Sequence, residues 1–212
     1  MKKIGVWKKQ NSSRSKSVKS KNKKAGESMR LNDPAVTSFS FEGKEYPINL
    51  SFDLVLDAFD IIKADFLTNH EKACLCLDIL IGKNQYSKND AVGIWNFIFD
   101  SFIKVEQKPF IEYDFYGEPM KIREEEDLMD LEIDAEAIYA SFIQAYNIDL
   151  IERQGKFSWH SFRALLHNLP SESPLKKLMQ IRAWKPHKDD SAEFKQEMSN
   201  LQRYYALEET EE

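Results

Sequence analysis

The chain has 212 residues, 42% of them hydrophobic and 12% aromatic, enough for a real core in one ordinary domain or two small ones. Its net charge of −5 is uneven: residues 1–28 hold ten Lys/Arg and one Glu, net +9, so the remainder is −14. Two cysteines, Cys74 and Cys76, exclude a disulfide framework, and no apolar run reaches the roughly 18 residues that would suggest a membrane span.

Residues 1–28, MKKIGVWKKQNSSRSKSVKSKNKKAGES, are rich in Lys and Ser. So few apolar side chains cannot offset the entropy of ordering, and a disordered basic tail is expected. No apolar stretch follows the lysines, so the tail is not a secretory signal. It reads either as a solvated extension, or as an arm toward nucleic acid, an acidic surface or the acidic body of the chain itself.

The next segment, TSFSFEGKEYPIN (37–49), alternates apolar and polar residues around Glu42-Gly43 and predicts a small β-hairpin. Ser51 is a candidate cap for a helix carrying Phe52, Val55, Leu56, Phe59, Ile62 and Phe66. Thr68 or Asn69 caps a second, with Ala73, Leu77 and Leu80 inside and Gly82 after it. Ser87 or Asn89 opens a third, with Ala91, Ile94, Trp95, Ile98 and Phe102. Trp95, Phe97, Ile98, Phe99 and Phe102 make this helix apolar nearly all round, which implies burial on several sides or a subunit contact.

Residues 105–130 contain turn chemistry at Gly117 and Pro119 and an acidic run, and read as a connector. Asp134 then precedes an acidic, alanine-rich first turn, with Ile138, Phe142, Ala145 and Tyr146 on one face and Asn147 placed for a left-handed exit. Gly155 marks a break. Ser158 caps a helix with Trp159, Phe162, Leu165, Leu166 and Leu169, and Pro170 stops it. Ser173-Pro174 opens another, striped by Leu175, Leu178 and Met179. After Pro186, Phe194, Met198, Leu201 and Tyr205 mark an amphipathic helix.

The expected organisation is therefore a mostly α-helical bundle with a small N-terminal hairpin. Its parts are a disordered basic tail at 1–28, a hairpin plus helical unit at 29–104, and an acidic connector at 105–130. A C-terminal helical unit at 131–185 and an amphipathic helix with an acidic end at 186–212 complete it. A single helical domain with the connector as an internal loop is the other arrangement.

Little in this pattern suggests catalysis. Asp130, Glu132, Asp134 and Glu136 alternate, which on a strand could gather round a cation; leading into a helix, they scatter. His160 and His167 would stand roughly 10 Å apart along a helix, too far for one metal ion. His70 and His187 read as having no ligand-type neighbours, and surface positions are expected for all four histidines. Cys74 and Cys76 point to nearly opposite sides of a helix and read as small buried hydrophobes. No nucleophile elbow, Walker loop or dinucleotide loop is present, and nothing in the sequence favours a Cys–His nucleophile pair. The expectation is a protein that is not an enzyme, with no cofactor and no metal.

Contact with another protein is the remaining chemistry. Trp159 and Phe162 are read first as core, and second as a surface for a partner helix or strand. Arg163 and Arg182 are better contact candidates, because a guanidinium makes bidentate contacts at a desolvated interface. The bland alternative for both is an ion pair with the acidic body.

Three stretches carry a family resemblance: IYASFIQAYNIDL, FSWHSFRALLHNLP and the closing IRAW. Together with MRLNDPAVTSFSFEGKEYPINLSFDLVLDAFDIIKADF at Met29–Phe66, they resemble the gene-product-fifteen family of long-tailed phages of Gram-positive bacteria, from Met29 to about Lys185. The W-x-x-F-x-x-L-L-x-x-L-P pattern is similar to the wider class of tail assembly chaperones. That resemblance implies binding to the tape measure and tail tube proteins, a homo-oligomer, and a place in the host cytoplasm rather than the mature virion. The basic start before Met29 departs from the family's beginning. Two other classes stay open: a structural virion component such as a connector or tail protein, and a nucleic-acid-binding or host-regulating protein acting through residues 1–28.

Overall fold

Alternation across Glu42-Gly43 produces the two short strands expected. In a computed structural model that describes residues 34–104, 116, 118 and 128–207, β1 (Ser38–Phe41) pairs antiparallel with β2 (Lys44–Pro47). Glu42 and Gly43 both take positive φ, 49° and 80°, the turn that matches the twist of a two-residue hairpin. Phe39 stands opposite Tyr46, with the rings stacked at 5.4 Å. The basic tail, the start of the family-like sequence at Met29, most of the 105–130 connector and the acidic end lie outside the described residues.

Among the described residues seven α-helices follow: α1 (Phe52–Lys63), α2 (Asn69–Leu80), α3 (Ala91–Ile98), α4 (Ala135–Tyr146), α5 (Trp159–His167), α6 (Pro174–Ala183) and α7 (Ala192–Tyr204). The protein is mostly α-helical with one small hairpin. Thr68 starts α2 with a reciprocal capping box to Glu71, and Asn147 ends α4 at φ 53°. The end of α3 widens into a π-type segment, Phe99–Ile103, closed by the Lys104 N–H donating to the Phe99 carbonyl at 2.7 Å. Phe97 and Phe102 reach the hairpin, while Trp95 and Phe99 pair with each other at 5.9 Å. Phe97 lies 5.7 Å from Phe39 and 5.6 Å from Phe41. Burial on several sides therefore accounts for much of the apolar character of this segment.

Two local expectations change. α1 ends at Lys63, so Phe66 falls beyond it and is exposed rather than part of the stripe. Ser51 precedes α1 but does not cap it with its hydroxyl. Its backbone instead forms an isolated antiparallel bridge with Ser158, in which Phe52 N–H donates to the Phe157 carbonyl and Trp159 N–H to the Leu50 carbonyl, both at 2.8 Å. Asp134 precedes α4 without capping it, because its carboxylate is engaged elsewhere.

That Ser51–Ser158 bridge brings the starts of α1 and α5 together, and an aromatic column grows from it. Phe162 stacks on Phe52 at 5.0 Å, on Phe142 at 5.3 Å and on Trp159 at 5.7 Å. Phe59 meets the Trp159 ring edge-on at 5.5 Å, and the indole N–H donates to the Ile103 carbonyl at 3.2 Å. Helices from both sides of the connector thus share one hydrophobic cluster. Ser141, fully buried in α4, accepts from the Leu175 N–H at 3.0 Å and so satisfies one open donor at the start of α6. α7 buries no residue completely. It is held to α6 by Trp184 against Phe194 at 5.8 Å, and by the Gln202 amide beside the Ile181, Arg182 and Trp184 carbonyls.

Candidate protein-contact site

The start of α4 and the end of α6 meet at a buried ion pair. Arg182 Nη1 donates to Asp134 Oδ2 at 2.6 Å and Nη2 to Oδ1 at 2.7 Å, with side chains only 8% and 2% exposed. The same guanidinium donates to the Leu128 carbonyl at 2.9 Å and, through Nε, to the Tyr205 carbonyl at 2.6 Å. Asp134 also accepts from the Asp130 N–H at 3.0 Å. One arginine therefore fastens four segments: α6, the Leu128–Asp134 turn, the start of α4 and the end of α7. A planar fork with five donors suits this, and a lysine would not.

Above this pair lies an open groove of about 1160 Å³. One wall is the outer face of α1, with Leu56, Phe59, Asp60 and Lys63; the other is Leu128–Ile133; Arg182, Gln202, Ala206 and Leu207 close it. Lys63 reaches Glu132 across it at 3.2 Å, and that hydrogen bond raises the lysine above its ordinary pKa. Both side chains are well exposed, so the bridge adds little stability. Asp130 is held below the usual carboxylate range by the N–H groups of Ile133 and Glu132, which donate to it at 2.9 and 2.7 Å. On α1, Asp57 is pushed upward by burial and by its neighbours Asp53 and Asp60. The groove has an apolar floor and a rim weighted toward carboxylates. Ile133, 57% exposed, is its most open large apolar residue.

The four contact candidates divide. Trp159 and Phe162 sit in the core. Arg163 is half-buried with its guanidinium 5.8 Å over the Trp159 ring, a cation–π placement, and burial lowers its pKa from the ordinary value. Of the four, Arg182 lines the groove, where it forms the ion pair with the acidic body already described. Leu56, Phe59, Leu131 and Ile133 were not singled out as contacts by the sequence. The legible hint was the apolar alternation inside the acidic run LMDLEI at 128–133.

A family model described as Bacteriophage Gp15 protein matches residues 31–207. The chain belongs to the bacteriophage Gp15 family. It is thus a phage-related protein, and the match covers the hairpin, all seven helices and the groove. No curated protein and no solved structure matches the chain. Among the described residues of this Gp15-family member, no helix is long and apolar enough to cross a membrane.

Proposed function

We propose that this Gp15-family protein is a tail assembly chaperone, which binds the tape measure and tail tube proteins in the host cytoplasm and leaves before the virion is complete. It acts by binding rather than by catalysis, and as a homo-oligomer. The observation that carries the reading is the groove between α1 and Leu128–Ile133, an apolar floor in a family member with an acidic body. A tape measure protein must hide long apolar helical stripes until the tube encloses it. One amphipathic helix fits this groove in kind, with its apolar face toward Leu56, Phe59 and Leu131 and basic flanks toward Asp60 and Glu132.

The test is where the protein goes during infection. Mass spectrometry of assembly intermediates and of purified particles should find it with the tape measure protein in the former and missing from the latter. A fixed stoichiometric presence in purified particles would instead make it a structural component.

A further inference from the structure

Cys74 and His70 stand one turn apart on α2. Cys74 Sγ is 3.9 Å from His70 Nδ1, and His70 Nε2 is 2.9 Å from the Lys88 carbonyl oxygen. A carbonyl only accepts, so Nε2 carries the ring proton and Nδ1 presents its lone pair to the thiol. Thiol, imidazole and orienting carbonyl are then joined in that order. His70 is exposed and Cys74 half-buried, so the expectation that both cysteines are buried holds for Cys76 alone, and His70 does have a near partner.

Cys76 supplies the contrast. It is fully buried, with its thiol directed to the Ala58 carbonyl at 3.7 Å, and burial pushes it up to about 12. Tyr86 and Asp78 stand beside Cys74. The Tyr86 hydroxyl lies 2.8 Å from the Cys74 carbonyl and 2.9 Å from Asp78 Oδ1. Burial and the Asp78 hydrogen bond raise the Tyr86 phenol, which stays neutral. Glu71 faces Thr68 in its capping box.

We propose that Cys74 is a modification site, a thiol whose proton His70 accepts and which exchanges with small-molecule disulfides. The proton passes from Sγ to Nδ1, and the thiolate attacks one sulfur of the disulfide. The old S–S bond breaks, and the leaving thiolate takes the proton from the imidazolium. The products are a mixed disulfide on Cys74 and one free thiol, with no external oxidant.

The probe is 5,5′-dithiobis(2-nitrobenzoic acid) on the full native chain at neutral pH. One thiol should react in the native protein and a second only after unfolding in guanidinium. Cys74→Ser should remove the native reaction and Cys76→Ala should keep it. His70→Gln, checked for folding by circular dichroism, should slow it by about tenfold or more. In the Cys76→Ala protein, the native rate should exceed that of the same chain unfolded, a comparison that needs no change at His70. An unreactive native Cys74, a His70→Gln rate within about twofold of the parent, or a native rate below the unfolded rate would each overturn the assignment.

Discussion

Replacing Asp134 with Ala leaves the Arg182 guanidinium almost wholly buried with two carbonyl partners and no counter-charge. Breaking a buried pair from one side costs about 3–5 kcal/mol, because the surviving charge keeps its desolvation penalty. For a chain of this size each kcal/mol shifts the thermal midpoint by about 2–4 °C, so a fall of roughly 6–20 °C is expected. Arg182→Met removes the two Asp134 contacts together with those to Leu128 and Tyr205, and should cost at least as much. The double variant tests the mechanism. With both charges gone, the loss should fall short of the sum of the singles by about 2–3 kcal/mol, the coupling expected of contacting residues. The assay is urea unfolding followed by circular dichroism for the parent, both singles and the double. Singles costing under about 1 kcal/mol, or a double that is simply additive, would refute the claim that this pair fastens the C-terminal helices to the rest.

Phe162→Ala should cost about 3–5 kcal/mol in the same assay, since the ring stacks on Phe52, Phe142 and Trp159 at once; a loss below about 1 kcal/mol would deny its central place. Asp57→Asn removes a like charge three and four residues from Asp60 and Asp53, and should stabilise by a few tenths of a kcal/mol, an effect that shrinks with added salt. Asp130 has its folded-state pKa below its unfolded value near 4, so its contribution is complete above about pH 4 and disappears as pH falls through the depressed value. Asp130→Asn should therefore flatten the decline in stability below about pH 4; an unchanged decline would place the acid sensitivity elsewhere. Thr68→Ala should cost about 1 kcal/mol by opening the α2 capping box, read from the urea midpoint.

Much of the local structure was legible because its causes are local. The Glu42-Gly43 turn, the Thr68 cap, the Asn147 exit and the Ser158 cap each depend on residues within a few positions of one another. What was hidden depends on distant pairing. Nothing near Ser51 says that its backbone meets Ser158, and nothing near Asp134 says that its carboxylate leaves the helix start for Arg182, 48 residues on. The arginine's partner was foreseen in kind, as an ion pair with the acidic body, but not in identity. The groove was missed for the same reason: Leu56 and Phe59 share a helix stripe with core residues, and only the opposing Leu128–Ile133 segment turns that stripe into a wall. From sequence, His70 read as having no ligand-type neighbour, although Cys74 stands four residues on along the same helix, and the orienting Lys88 carbonyl comes from beyond that helix.

Co-expression with the phage's tape measure and tail tube proteins, followed by pull-down of the parent chain and of Ile133→Glu, tests the account most directly. Ile133 is exposed on the groove, so the charge should leave the fold and thermal midpoint unchanged. The parent should bring down both proteins, and Ile133→Glu should lose the tape measure protein. A parent chain that retrieves neither would contradict the chaperone reading, and a folded Ile133→Glu that retains the tape measure protein at parental yield would contradict the groove as its seat.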